Sequence, residues 1–167
     1  MKIYDNKGML IIPELDKVKK LGRRVGITTA KNKVLLRQVF CPEGHPLISD
    51  ENPKFDGKPG IHLICEGDYI RQSVYLSPFQ GDNQKIFNKD FEQGEIIKVF
   101  CPVCQVEFPK LAPHDCKTDA MYIALFLDNK ASFSNAACIC NIWGCYASQL
   151  RLSGEVLAEV HMMTVIR

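Results

Sequence analysis

Two short stretches of the chain share one design. Val39-Phe40-Cys41-Pro42-Glu43-Gly44-His45 and Val99-Phe100-Cys101-Pro102-Val103-Cys104 each end an apolar run in a cysteine, follow it with proline, and supply a second soft donor after a tight turn. Thiolate and imidazole are the side chains that bind borderline-soft metal ions. Proline pre-sets the turn, and Gly44 supplies the positive φ that lets backbone amides point back at a thiolate. One such turn holds two donors within a single coordination sphere, and two turns complete a tetrahedron. The chemistry these residues suit is closed, four-donor binding of a metal ion.

At these turns the sequence resembles zinc-ribbon and rubredoxin-like knuckle proteins, in which two hairpin tips clamp one metal. The resemblance covers the two knuckles and their leading strands and implies no particular activity. Carried over residue by residue, it implies that Cys41 and His45 form one ligand pair and Cys101 and Cys104 the other. The first knuckle departs from the usual pattern, being Cys-x3-His rather than Cys-x2-Cys, and residues 46–100 lie between the two knuckles. That intervening stretch reads as an insertion that joins the sheet.

Further donors lie downstream, at His114-Asp115-Cys116, at Cys138-Ile139-Cys140 and at Cys145. The working arrangement places His114, Cys116, Cys140 and Cys145 in a second site. Cys138, two residues before Cys140, faces the same way on a strand and is a reserve ligand. Asn141 and Gly144 beside cysteine resemble the turn that opens a treble-clef helix, at Cys-x4-Cys spacing. A rival assignment groups Cys101, Cys104, His114 and Cys116 locally and leaves Cys41 and His45 to the later cysteines. Spacing leaves both open, because ligand pairing depends on the fold. Cys65 and His62 have no partner at ligand spacing and read as a core residue and a surface residue.

Mixed thiolate and imidazole donors point to zinc, one or two ions per chain, with iron as the redox alternative. Closed sites of this kind leave no position for water or substrate, so they speak for structure rather than catalysis.

The elements that must position these donors are mostly strands. Residues 33–40 and 95–100 run straight into Cys41 and Cys101. Residues 61–65 and 69–76 flank a Glu66-Gly67-Asp68 turn and form a hairpin. Residues 77–94 read as loop, and Pro109 and Pro113 mark a proline-rich turn. Strands are expected at 121–127, 133–140 and 148–151, and a final strand, or a helix, at 154–161. One short helix is expected between Pro13 and Gly22, with Lys17, Lys19, Lys20, Arg23 and Arg24 on a solvated face. The fold class is therefore mainly β (β-rich α+β), an antiparallel sheet with hairpins and one or two short helices. Residues 1–32 form a lead-in, and residues 33–167 a single β-rich metal-binding domain.

Composition narrows the function. In 167 residues the formal net charge is only +2, which argues against a dedicated nucleic-acid coat or a membrane-attracted surface. Lys98, Lys110 and Lys117 near the knuckles are offset by Glu107, Asp115 and Asp119. No nucleophile elbow, P-loop, dinucleotide fingerprint or His-Glu-x-x-His is present. Cys101 and Cys104 could form a redox dithiol, but Gln105-Val106-Glu107-Phe108-Pro109 is a poor helix start. The longest apolar stretch, residues 120–127, falls well short of the roughly 20 needed to cross a bilayer. Eight cysteines without a signal core fit a reduced, cytoplasmic setting. The expected role is a zinc-binding, metal-stabilised binding or accessory module with a protein partner. The alternatives are a small redox protein using iron or dithiol chemistry and a nucleic-acid-binding zinc ribbon.

Overall fold

A computed structural model of the chain describes residues 3–4, 10–11, 20–22, 25–30 and 33–161. Its strands, in chain order, begin with β1 (Ile3–Tyr4), β2 (Leu10–Ile11), β3 (Ile27–Ala30) and β4 (Lys33–Leu36). They continue with β5 (Lys54–Phe55), β6 (Lys58–Pro59), β7 (Ile61–Glu66), β8 (Arg71–Leu76), β9 (Lys85–Phe87) and β10 (Lys98–Phe100). The last are β11 (Lys110–Pro113), β12 (Met121–Phe126), β13 (Ala136–Cys140), β14 (Ser148–Leu152) and β15 (Glu155–His161). The protein is mainly β, and every strand pairing is antiparallel. The helix expected between Pro13 and Gly22, with its basic cluster, lies outside the described residues except for a helical turn at 20–22. Among the described residues, no helix is long and apolar enough to cross a membrane.

A large sheet runs β1-β2-β15-β14-β13-β12-β11, and a smaller one runs β10-β7-β8-β9. The β7–β8 hairpin shows how sequence sets register. Ile61, Leu63 and Cys65 alternate inward, and Leu63 pairs with the fully buried Val74. β12 is buried on both faces, so it reads as an unbroken apolar run. Ile123, Leu125 and Leu127 enter the core shared with the small sheet, beside Leu63, Val99 and Phe108. Tyr122, Ala124 and Phe126 point to the opposite face, where a second core of small residues gathers Ala120, Ala136, Cys138, Ile142 and Ala147.

Three findings correct the sequence reading. Residues 110–113, where a proline-rich turn is expected, form the edge strand β11. The loop at 77–94 contains β9, and the lead-in contains β3, which pairs with β4. The C-terminal segment, by contrast, is the final strand the sequence leads one to expect, β15.

The two sheets are joined through the cysteine hairpins. Phe40 pairs with the far end of β12, donating to the Phe126 carbonyl at 2.7 Å. Phe40 also bridges Pro46, and Ile48 bridges Ile61 on β7. The second hairpin makes the same journey in reverse. β10 pairs with β7, Phe100 bridges Glu107, and the Pro109 carbonyl accepts from Ala124 on β12 at 3.1 Å. The sheets include a curled half-barrel, and the two knuckles run between the small sheet and the large one.

Candidate metal centres

In the first knuckle the Cys41 amide donates to the His45 carbonyl at 3.0 Å, and the Gly44 amide donates to the Cys41 carbonyl at 2.9 Å. Gly44 takes φ +89°, a region that costs a side chain about 1–2 kcal/mol and glycine nothing. The turn folds the amides of Glu43 and His45 onto Cys41 Sγ, each at 3.3 Å. The second knuckle is one residue longer between its bridging positions, Phe100 and Glu107 rather than Phe40 and Pro46. Here the Gln105 amide closes the turn onto the Cys101 carbonyl at 3.0 Å, and the Val103 amide points at Cys101 Sγ at 3.3 Å. The left-handed residue is now Gln105, at φ +63°. It follows the second donor, Cys104, whereas Gly44 precedes His45.

The structure brings the knuckles face to face. The donor atoms of Cys41, His45, Cys101 and Cys104 all lie within 4.8 Å of one another. Cys41 Sγ is 3.3 Å from His45 Nδ1 and 3.8 Å from Cys104 Sγ. Cys41 and Cys101 are wholly buried, and Cys104 is exposed.

A second group gathers on the outer face of the large sheet. β11 delivers His114, β13 ends in Cys140, and a turn through Gly144, at φ +93°, returns Cys145. The donor atoms of His114, Cys116, Cys140 and Cys145 also lie within 4.8 Å of one another. His114 Nδ1 is 3.3 Å from Cys140 Sγ and 3.7 Å from Cys145 Sγ, and Cys116 Sγ is 3.6 Å from Cys140 Sγ. The His114 ring packs on Tyr122 with centroids 4.7 Å apart, and its Nε2 faces the exposed Asp115 carboxylate at 3.7 Å.

These separations can be compared with a tetrahedral ion. Bonds of about 2.3 Å to sulfur and about 2.0–2.1 Å to nitrogen give S···S edges of about 3.8 Å and S···N edges of about 3.6 Å. The distances in both groups fall close to those edges, and the sulfurs are far beyond the roughly 2.05 Å of a disulfide. All eight cysteines are free thiols. Both groups could hold a metal ion, and the three-cysteine, one-histidine set in each is the chemistry such an ion requires.

Electrostatics divides the thiols. Burial, the largest influence, pushes Cys101 up to about 11 and Cys116 up to about 11. At Cys41 burial again acts upward, but the amides of His45 and Glu43 and the His45 ring outweigh it and bring the thiol down to about 7. A hydrogen bond from Cys140 is the chief cause that draws Cys145 down to about 6, and the same bond drives Cys140 up, with burial adding to it.

Cys138 belongs to neither group. It is fully buried in the second core and pairs with Ala124 and Gln149 across the sheet. Cys65 is buried in the first core, and His62 is half-buried, stacked on Tyr75 and hydrogen-bonded to Ser73 at 2.9 Å. The chain after Cys104 returns as a hairpin, so no helix N-terminus is aimed at the Cys101–Cys104 pair. Nothing in the local sequence signals the support that the Tyr122 ring lends to His114. Asp115, beside His114, was visible only as a surface charge. Comparison with models of protein families, with curated proteins and with solved structures finds no match to the chain.

Proposed function

We propose that the chain binds two zinc ions, one in each group of four donors, and acts as a metal-stabilised binding or accessory module. The observation that carries this reading is the arrangement of free donors at tetrahedral edge lengths, twice in one chain. One imidazole in each set favours zinc over a rubredoxin-like iron centre, which uses four thiolates. The matched knuckle hairpins support the resemblance to zinc ribbons at the first centre. With four protein donors each, both shells are closed, so the metal's contribution is to folding rather than to turnover. Cys41, His45, Cys101 and Cys104 would tie one sheet to the other. His114, Cys116, Cys140 and Cys145 would pin the 114–120 and 141–147 segments onto the outer face of the large sheet.

The test is elemental analysis with an absorbance spectrum, on protein purified without oxygen or chelator. The expected result is about two zinc ions per chain and no visible colour. Iron with visible absorbance would replace this reading with a redox one. A folded protein free of metal would overturn it.

A further inference from the structure

The two groups of donors hold the same residue types, three cysteines and one histidine, but they do not face solvent equally. In the second group Cys116 and Cys145 are buried and Cys140 is half-buried at the end of β13. In the first group Cys41 and Cys101 are buried, whereas Cys104 is not. Of the eight cysteines, all of them among the described residues, Cys104 alone is exposed. Its neighbours along the chain give it no cover, since Val103 is 62% exposed and Gln105 is exposed as well.

Cys104 also has a second sulfur within reach. Cys41 Sγ lies 3.8 Å away on the other knuckle, held in that position by the amides of Glu43 and His45 at 3.3 Å each. With metal bound, both sulfurs are thiolates, the form of cysteine that reacts with oxidants. Exposure and thiolate character decide which sulfurs a peroxide reaches, and a reactive cysteine beside a resolving one is the arrangement of redox-sensing sites.

Resting on the two-zinc reading, we propose that Cys104 is an oxidation site for hydrogen peroxide, and that the product is a Cys41–Cys104 disulfide that takes the place of the metal at the first centre. The Cys104 thiolate attacks one peroxide oxygen. An S–O bond forms, the O–O bond breaks and hydroxide leaves, so the sulfur gives up two electrons and the peroxide gains them. The Cys41 thiolate then attacks the Cys104 sulfur. An S–S bond forms, the S–O bond breaks and a second hydroxide leaves. Each hydroxide takes a proton from solvent, so one peroxide and two thiolates give one disulfide and two waters. His45 and Cys101 remain as donors, half of a tetrahedral set, and the ion is released without any change in its own oxidation state. The new bond runs from one knuckle to the other, so their link is kept while the metal is given up.

The test is anaerobic titration of the zinc-loaded protein with hydrogen peroxide. Released zinc is followed with a chromogenic chelator, and the products by peptide mass mapping without reduction. The zinc content before peroxide is added checks the two-zinc reading by itself. A protein without zinc at that point would overturn that reading and this proposal with it. From a two-zinc protein, the first ion should leave with one peroxide consumed, at least about tenfold faster than the second, and the Cys41–Cys104 cross-link should be the product. Dithiothreitol should break that bond and restore zinc to the first centre. Cys104→His keeps four donors and removes the exposed sulfur, so it should hold both ions and slow the first release about tenfold or more. Release of both ions at one rate, first release from the second centre, or a first disulfide other than Cys41–Cys104 would overturn the proposal even if the variant failed to fold. A Cys104→His protein that lost its first ion as fast as the parent chain would overturn it as well.

Discussion

Cys101 and Cys65 are both buried thiols in the first core, at 0% and 5% exposure, yet different physics holds them there. Cys101 faces three other donors, whereas Cys65 faces only apolar neighbours and the distant charge of Lys85. With metal bound, Cys101→Ala removes a ligand and should cost several kcal/mol, a share of the roughly 10 kcal/mol that structural zinc contributes. Cys65→Ala leaves only a small cavity and should cost about 1–2 kcal/mol. Denaturant unfolding of the two variants decides the matter, and equal costs would return Cys101 to the core. Cys65 also leaves a mark on the pH dependence. Burial holds its thiol up to about 12, against an ordinary value of 9.0. A group raised on folding stabilises fully below its unfolded value, and that contribution is lost as pH climbs towards the folded one. Stability should therefore fall between about pH 9 and 12, and Cys65→Ala should flatten that decline.

At the scale of elements, the knuckles were legible because their chemistry is local. A cysteine, a proline and a left-handed residue within a few positions are enough to build a turn that solvates sulfur with amides. Gly44 and Gly57 give a matched test of that claim. Both hold positive φ, +89° and +81°, and neither has a neighbour that an added Cβ would strike. Alanine at either position should cost about 1 kcal/mol in stability. Only Gly44→Ala should also weaken metal binding, measured by competition with a chelator, because only that turn aims amides at a thiolate. The elements that escaped the sequence were those whose pairing is remote. β11 was hidden by Pro109 and Pro113, yet it lies at the edge of the large sheet, where proline is tolerated. β9 has three residues, too few to display alternation. No local signal told that Phe40 would pair with Phe126.

For the molecule as a whole, the grouping of donors depends on the two faces of β12. Spacing alone allowed Cys101 and Cys104 to join His114 and Cys116. The return from the second knuckle passes Phe108 into the first core, and β11 then carries the chain to the opposite face of the sheet. Cys41 and Cys101 thus lie in the first core, and Cys116 and Cys145 in the second. Independent centres make a stoichiometric prediction. Cys140→Ala should lower zinc content from about two ions to about one, with the knuckle centre retained, and an unchanged content would make Cys140 a structural thiol. The order of the donors along the chain has one more consequence. Cys41, His45, Cys101 and Cys104 all precede His114, Cys116, Cys140 and Cys145, with no interleaving. During synthesis from the N-terminus, every donor of the first group is made before any donor of the second. A nascent chain meeting metal as it emerges can close its first centre before the donors of the second group emerge, and so avoid mispairing between the two groups by timing alone.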